Sequence, residues 1–369
     1  MPKAGYEKTT GKSKCLLIGS TASYSGKTAT ILGIAHQLQA LGMKIAYSKP
    51  LGTCWSDPVA PIADEDAIFL SEHLKLPPEL IGPTLLFLQP ETIDKRLRSE
   101  DETDYTQSLL ASLPAGAADL VLLEGPSTLA EGSLFNLSLR QMSELADADV
   151  LLVARFHALT QVEELLAAKR ILGSRLLGIV LNDIPNRLIA PVKTIVAPFL
   201  EQEGIPIFGM LAASALLRSV SVGELAGRLN ADVVCRPDKL DLMVETLKIG
   251  AMNINAALKY FYEGQNMAVV TGGDRTDIQL AALETSTQCL ILTGQVRPVP
   301  AILSRAEEAE VPVLCVDLDT LTTVEIIEQT LGQVRLHEPS KLGYIKQLMA
   351  EHFQYDRLIA AMGLATAAV

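Results

Sequence analysis

The first 210 residues contain short apolar runs that alternate with longer stretches of helical periodicity. Runs of this kind are typical of strands buried on both faces of a sheet. The periodic stretches predict helices, among them 29–41, 67–74 and 159–172. The predicted strands are 15–18, 44–48, 119–123, 150–154, 176–181 and 206–210. This alternation predicts an α/β fold with a mostly parallel sheet and helices on both faces.

From about residue 216 the pattern continues in smaller units. Strands are predicted at 232–235, 267–270, 289–292 and 313–316, with helices at 222–230, 255–262, 278–285 and 301–309. The amphipathic segment 340–362 is expected to pack on a partner or on the chain's own core. A chain of 369 residues exceeds the usual size of a single core. We therefore expect a flexible N-terminus (1–13), a large domain (14–214), a smaller α/β domain (215–335) and a helical tail (336–369).

Composition and charge exclude several classes of function. A net charge of −12 argues against non-specific nucleic-acid binding, which needs a basic surface. No apolar run approaches membrane-spanning length, and residues 1–14 lack the apolar core of a signal peptide. The sequence has five cysteines, an odd number, and no two of them form a C-x-x-C pair. This pattern is expected for reduced thiols. We expect a cytoplasmic protein with no nucleic-acid or membrane partner.

The loop after the first predicted strand carries the strongest chemical signal. A strand, a loop of small residues, Gly-Lys-Thr and a helix form the context of a phosphate-binding P-loop. Free N–H groups and the helix dipole attract an anion at such a helix start. The candidate residues are Ser23, Tyr24, Ser25, Gly26, Lys27, Thr28 and Ala29. The alternative is a tight strand-to-helix turn without a ligand, since Thr21 stands where the standard pattern has glycine.

Polar residues at other strand ends are the next candidates. Lys49 follows the second strand, where it either contacts phosphate or substrate or is a solvated loop lysine. Glu124 ends an apolar strand, and we favour a Mg²⁺ contact there over a plain N-cap role, because a buried carboxylate needs a compensating partner. Asp66 opens a helix, either as a dipole complement or as a second metal contact. Asn182 ends a strand, either to contact adenine or to form an Asx-turn before Pro185.

The first half resembles dethiobiotin synthetase and the N-terminal domain of long bacterial phosphotransacetylases. The resemblance covers about residues 14–212 and rests on Gly26-Lys27-Thr28, Lys49-Pro50, Asp66-Ala67, Glu124-Gly125 and Asn182. It implies a P-loop NTPase-like fold that binds ATP and Mg²⁺. Lys27 and Lys49 would be the catalytic residues, with Lys27 on the β/γ-phosphates and Lys49 on the acceptor side. Thr28, Asp66 and Glu124 would hold Mg²⁺, and Asn182 would contact adenine.

One difference bears on the implied reaction. The loop in dethiobiotin synthetases reads Gly-Thr-Asp-Thr-Glu-Val-Gly-Lys-Thr, and this chain has Ala22 and Tyr24 in place of its Asp and Glu. Phosphate binding remains possible with these changes, but they argue against the carboxylase chemistry.

The second half, about 216–330, resembles the DRTGG domain. The resemblance rests on Gly273-Asp274-Arg275-Thr276-Asp277, Leu292-Thr293-Gly294 and Arg297-Pro298, with Asp277 where the domain's name has Gly. It implies a ligand site formed by Gly273, Asp274, Arg275, Thr276, Thr293, Gly294 and Arg297.

Together these features predict an ATP- and Mg²⁺-binding regulatory protein, with a nucleotide in the P-loop domain and ligand sensing or assembly through the DRTGG domain. The acyltransferase domain of long phosphotransacetylases needs several hundred further residues, so phosphate acetyltransferase activity is not expected of these 369. The alternatives are an ATP-dependent ligase of dethiobiotin-synthetase type and a scaffold with a degenerate P-loop. We also expect a homo-oligomer, a dimer or higher, and allow for a protein partner.

Overall fold

The computed structural model describes residues 13–52, 64–114, 116, 118–332 and 339–364. Residues 1–12 of the expected flexible N-terminus and the expected domain boundary at 335/336 lie outside the described residues. The described part divides into two compact units, one made of residues up to 213 with the tail 339–364, and one made of residues 214–332. Within these ranges, no helix combines the length and the apolar character needed to cross a bilayer.

The first unit contains nine strands. Seven of them form one sheet in the order β4-β2-β6-β1-β7-β8-β9, in which every neighbouring pair is parallel. A separate parallel pair is formed by β3 and β5. The bounds are β1 Lys14–Ser20, β2 Ile45–Ser48, β3 Leu51–Gly52, β4 Ile81–Gly82, β5 Leu86–Phe87, β6 Leu120–Glu124, β7 Asp149–Arg155, β8 Leu176–Ile184 and β9 Ile207–Ala212. The predicted mostly parallel sheet is confirmed.

The helices of this unit connect the strands. They are α1 Lys27–Ala40, α2 Glu65–His73, α3 Pro90–Leu97, α4 Tyr105–Ser112, α5 Leu139–Leu145, α6 Gln161–Leu172, α7 Asn186–Pro191 and α8 Ala197–Gln202. A π-helical segment, Val192–Val196, joins α7 to α8. Residues 16–20 of β1 and all of β6 are buried, so these strands are apolar almost throughout.

The strand order places a topological switch point beside β1. From β1 the chain moves to β2 and β4 on one side, returns to β6, and then crosses β1 to build β7, β8 and β9 on the other side. In open α/β sheets, ligands bind outside the carboxyl ends of the strands at such a point. The loop from β1 to α1 lies at this position.

The C-terminal tail belongs to the first unit. Its helices are α15 Pro339–His352 and α16 Tyr355–Met362. On α1, a Cβ at Gly33 would lie 2.5 Å from Met349 of α15, so the glycine permits this close packing. Beside the edge strand β9, Gln354 donates to the carbonyl of Phe208 at 2.7 Å. The tail therefore covers part of a strand edge that would otherwise offer free backbone groups.

The second unit is a smaller α/β domain, as predicted. Its main sheet has the order β11-β16-β15-β14-β13, with β13 to β16 parallel and β11 antiparallel at the edge. The strands are β10 Val220–Ser221, β11 Asp232–Cys235, β12 Met243–Val244, β13 Thr246–Ile249, β14 Met267–Gly272, β15 Thr287–Thr293 and β16 Val313–Cys315. The helices are α9 Ala215–Arg218, α10 Val222–Leu229, α11 Ile254–Tyr262, α12 Thr276–Leu283, α13 Pro300–Glu308 and α14 Thr320–Gly332.

Two apolar clusters cover the two faces of this sheet. One joins buried residues of α11, α12 and α13, and the other joins buried residues of α10 and α14. The carboxyl ends of the parallel strands remain at one edge, where the glycine-containing segments after β14 and β15 lie.

Candidate functional site

The loop between β1 and α1 has the backbone geometry of an anion-binding turn. Gly26 caps α1 in the left-handed conformation, with φ 96°, which glycine adopts without strain. Tyr24 also has positive φ, at 55°. The Ser25 hydroxyl donates to the Ala22 carbonyl at 2.7 Å and closes the loop from within. The first turn of α1 contains no acidic residue of its own, so no side chain of that turn opposes the positive end of the helix dipole.

The other loop candidates lie beside this turn. Ser23 and Tyr24 are exposed, whereas Thr28 and Ala29 are half-buried in the first turn of α1. The outer part of the loop is therefore open to solvent, and the helix start lies beneath it.

Lys27 is buried, and within the part of the chain that the structure describes it has no carboxylate partner. Its ammonium nitrogen donates to Ser20 Oγ at 3.0 Å, and no carboxylate oxygen of the described residues lies within 4.0 Å of it. Ser20 Oγ in turn donates to the Ser127 carbonyl at 2.8 Å, in the loop after β6. Burial lowers the pKa of Lys27, and the field of Glu124 opposes this shift. A buried cation with one neutral partner is well placed to receive an anion.

A cluster of charged groups lies at the ends of β2 and β6. The Lys49 ammonium is 2.6 Å from Asp64, 2.7 Å from Asp66 and 3.9 Å from Glu124. Asp64 and Glu124 are almost completely buried, and Asp66 is one-fifth exposed. Burial acts to lower the pKa of Lys49, but the three carboxylates outweigh it and raise that pKa. Lys49 is therefore the internal counter-ion of this cluster.

Glu124 connects the cluster to the phosphate loop. Its Oε2 accepts a hydrogen bond from the Tyr47 hydroxyl at 2.7 Å, and its Oε1 accepts from Thr28 Oγ1 at 3.4 Å. Burial raises the pKa of Glu124, and Lys49 opposes that shift. Burial, followed by the Glu124 charge, raises the pKa of Tyr47, so this phenol remains protonated as the donor.

The donor set suits Mg²⁺. Thr28, Asp66 and Glu124 supply hydroxyl and carboxylate oxygens, the hard ligands that this ion prefers. Within the described residues, no group of three or more His, Cys, Asp or Glu side chains forms a metal site on its own. A Mg²⁺ held by one or two carboxylates together with nucleotide phosphates needs no such group. The residues therefore fit a metal that enters with a nucleotide.

The side chain of Asn182 contacts the backbone of the loop between β1 and α1. Its Nδ2 donates to the Ser25 carbonyl at 2.8 Å. Asn182 remains within β8, where its backbone is in register with Arg155 of β7. Among the described residues, the Asn182 side chain bonds to Ser25 and does not form an Asx-turn before Pro185. The contact with adenine stays a prediction.

In the second unit, the DRTGG-type segment is held by its own neighbours. The Gly273 N–H donates to the Thr293 carbonyl at 3.0 Å. A Cβ at Gly273 would lie 2.1 Å from the carbonyl oxygen of Val296, so the two glycine-containing segments touch through their backbones. Gln279 of α12 donates through Nε2 to the carbonyls of Gly272 and Gly273, each at 3.0 Å. This part of the edge is a hydrogen-bonded turn at the start of α12.

The side chains predicted there have separate partners. Arg275 donates to the Met252 carbonyl at 2.8 Å and to the carboxylate of Asp277. The Thr293 hydroxyl lies 2.9 Å from that of Thr320. Arg297 is exposed and pairs with Asp232 at 3.6 Å. The remaining predicted residues occupy the same two segments: Asp274 and Thr276 at the α12 start, and Gly294 after β15.

Several residues of the first site were not predicted from the sequence. Tyr47 and Asp64 orient Glu124 and Lys49, and Ser20 and Ser127 link Lys27 to the loop after β6. Asp64 precedes a helix, so the sequence indicates an ordinary N-cap residue. It does have this role, because its carboxylate accepts a hydrogen bond from the Asp66 N–H. The signal available for Tyr47 is a hydroxyl-bearing side chain in the short strand β2, all of which is buried.

Comparisons with known proteins give relatives for nearly the whole chain. The phosphate acetyltransferase of Synechocystis is 26% identical over 312 residues, which cover 79% of this chain and 43% of the relative. That of Deinococcus radiodurans is 24% identical over 361 residues, covering 92% and 50%. The chain thus spans about half the length of the curated relatives it matches.

Solved structures of other proteins also align with parts of this chain. The CBS and DRTGG domains of Clostridium perfringens pyrophosphatase, complexed with diadenosine tetraphosphate, align with a TM-score of 0.29 at 18% identity, covering 52% of this chain and 82% of that one. The MinD cell division protein of Aquifex aeolicus aligns with a TM-score of 0.33 at 17% identity, covering 56% and 84%.

Two family models match in sequence. The model of the DRTGG domain matches residues 224–330, which lie in the second unit. The model of an AAA domain matches residues 14–220, more than half of the chain and the part that carries the loop, the lysines and the carboxylates. The chain belongs to this AAA domain family and carries a DRTGG domain after it.

Proposed function

We propose that the first unit binds ATP together with Mg²⁺ and that the second unit binds a regulatory ligand. The observation that carries the first part is Lys27, a buried ammonium at the start of α1 that has no carboxylate partner among the described residues. Burying such a charge is unfavourable unless an anion compensates it. The triphosphate of a nucleotide, lying on the N–H groups of residues 26–28, is the anion that the motif predicts.

In this proposal the chain's own residues bind and orient the nucleotide. Lys27 leaves Ser20 and contacts the β/γ-phosphates, while the loop backbone encloses them. Thr28, Asp66 and Glu124 hold Mg²⁺, which neutralises phosphate charge when it is bound. Lys49 remains between the carboxylates or moves towards the γ-phosphate, where it would be the second cation of the site.

Regulatory binding is favoured over ligase chemistry by the sequence of the loop. Ala22 and Tyr24 replace the Asp and Glu of the dethiobiotin synthetase loop, which argues against the carboxylase chemistry. The ligase alternative is tested by adding diaminopelargonate and bicarbonate to the protein with Mg²⁺ and ATP. A rise in ADP release would support the ligase, and an unchanged rate would support regulatory binding.

The DRTGG part of the proposal rests on the segments after β14 and β15. Their backbones meet at Gly273, and both follow parallel strands at the carboxyl edge where α/β folds bind ligands. Titration of adenine nucleotides into a Lys27→Ala variant separates the two units, because binding that survives the substitution must occur elsewhere. The proposal expects a residual site that Gly273→Ala removes, since its Cβ would collide with a backbone carbonyl. Residual binding that Gly273→Ala leaves intact would contradict this assignment.

Replacing Glu124 with glutamine is expected to stabilise the protein at neutral pH and to weaken its Mg²⁺-dependent binding of ATP. The folded-state pKa of Glu124 is raised by burial, so the stability contribution of this carboxyl is fully present at acid pH and is lost as pH rises through the folded-state pKa. Glutamine does not ionise, so the variant should have a higher melting temperature than the wild type at pH 7.5. The difference in melting temperature should vanish near pH 4.

The same variant should bind ATP in the presence of Mg²⁺ at least about tenfold more weakly, with little change in metal-free affinity. Glu144→Gln, at an exposed carboxylate paired with Arg140, is the matched control. Equal losses with and without Mg²⁺ in the Glu124 variant would show that Glu124 does not contact the metal. Calorimetry and thermal denaturation at both pH values measure these outcomes.

A further inference from the structure

We propose that Asn182 is a positioning residue that fixes the conformation of the phosphate loop from the end of β8. The inference deepens the proposed nucleotide site, on which its ligand-binding arm rests. It assigns the side chain to the loop backbone and not to recognition of the base.

The contact reaches the loop at its most constrained point. Asn182 Nδ2 donates to the Ser25 carbonyl at 2.8 Å, across 157 positions of sequence. The next residue, Gly26, has φ 96°. A Cβ at Gly26 would lie 2.3 Å from the same Nδ2, so the amide packs directly over the glycine. Only glycine leaves room for this amide at position 26.

Holding the Ser25 carbonyl also fixes the adjoining N–H group. The peptide between Ser25 and Gly26 is planar and trans, so its C=O and its N–H point in opposite directions. While the carbonyl points to Asn182, the Gly26 N–H points to the opposite side of the loop. Rotation of this peptide, which would redirect that donor, requires the hydrogen bond to Asn182 to break.

Asn182 is itself held on both sides. Its backbone carbonyl accepts from the Phe156 N–H at 2.8 Å. The following residue, Asp183, has φ 58°, and its carboxylate accepts from Arg155 Nε at 2.7 Å. The Asp183 side chain is only 12% exposed. These contacts join β7 and β8 immediately behind Asn182, so the loop after β1 is held by the ends of two neighbouring strands.

Positioning and base recognition predict different ligand dependence. If Asn182 fixes the loop, its loss weakens every ligand that presents a polyphosphate chain. If the amide recognises adenine, its loss weakens ATP alone. The comparison therefore uses ATP, GTP and inorganic tripolyphosphate, each with Mg²⁺, because the last has no base.

The variants are Asn182→Ala and the isosteric Asn182→Asp, which places an acceptor against the Ser25 carbonyl. We expect Asn182→Ala to weaken all three ligands alike, by about tenfold for one lost hydrogen bond. Asn182→Asp should weaken them further by repulsion. Asn186→Ala, at an exposed asparagine that begins α7, is the control and should leave all three affinities unchanged. A loss confined to ATP, with tripolyphosphate unaffected, would overturn the proposal.

Hydrogen exchange of the nucleotide-free protein tests the same inference without any ligand. The backbone amide of Thr30, which donates to the Gly26 carbonyl at 3.0 Å, should exchange faster in both Asn182 variants than in the wild type and the Asn186 control. Unchanged exchange in folded variants would also overturn the proposal. If the wild type binds none of the three ligands, the proposed nucleotide function fails, and the exchange result still decides whether Asn182 holds the loop.

Discussion

Replacing Lys27 with alanine is expected to abolish measurable ATP binding by the first unit while leaving the fold intact, when it is compared in a Gly273→Ala background that removes binding by the second unit. The ammonium is a buried cation at the loop, and removing one partner of a desolvated charge pair costs about 2–5 kcal/mol of binding free energy. The affinity should therefore fall by about a hundredfold or more. Titration calorimetry with Mg²⁺ and ATP measures the loss.

Stability of the same variant should change little. Among the described residues, the Lys27 ammonium has one hydrogen bond, to Ser20, and its burial lowers its pKa, so the folded protein gains little from the charge. Thermal denaturation without nucleotide should give a melting temperature equal to or above that of the wild type. Lys44→Met, at an exposed lysine before β2, is the control for removing a positive charge. Unchanged ATP affinity in the Lys27 variant would remove the assignment of this loop to phosphate.

Replacing Lys49 with methionine is expected to destabilise the protein strongly. Methionine matches the length of the side chain but leaves Asp64, Asp66 and Glu124 without their counter-ion. Breaking a buried ion pair by removing one partner costs about 3–5 kcal/mol. Urea denaturation at pH 7.5 measures this loss against the wild type and the Lys44→Met control.

The loss in the Lys49 variant should diminish as pH falls. Without the ammonium, protonation of the carboxyl groups removes their mutual repulsion, so the folded variant takes up protons that the unfolded chain does not. Its stability should rise from pH 7.5 towards pH 5 relative to the wild type. Equal stability of the two proteins at pH 7.5 would show that Lys49 does not balance the carboxylates.

Parts of the site could be predicted because local patterns carry them. The loop is defined by a strand, Gly-Lys-Thr and a helix that are adjacent in sequence. Glu124 is conspicuous because it ends an otherwise apolar run, and β6 indeed buries it. Lys49 was expected near the ligand because it follows a neighbouring strand. Its role as the centre of three carboxylates could not be predicted, since Asp64 and Glu124 reach it through tertiary packing.

The contact made by Asn182 depends on strand order. Its side chain reaches Ser25 because β8 is separated from β1 only by β7. Sequence periodicity predicts that these strands exist but not which ones are neighbours. The same limit applies to Ser20 and Ser127, which meet because β6 adjoins β1.

The fold was predictable where burial dominates the sequence pattern. Strands such as β7 are apolar along most of their length, so the pattern of apolar residues predicts them. Helix α3 buries none of its residues and has few apolar ones, so the pattern of apolar positions does not predict it. The antiparallel direction of β11 depends on its pairing with β16, and this pairing leaves no local signal.

Calorimetric titration of the wild-type protein with ATP, with and without Mg²⁺, tests the central proposal most directly. The proposal predicts saturable binding that strengthens at least about tenfold with Mg²⁺, because Thr28, Asp66 and Glu124 engage the metal only when phosphates are present. Absence of ATP binding under both conditions would contradict it. The first unit would then be a scaffold with a degenerate P-loop, and a search for ligands would turn to the DRTGG domain.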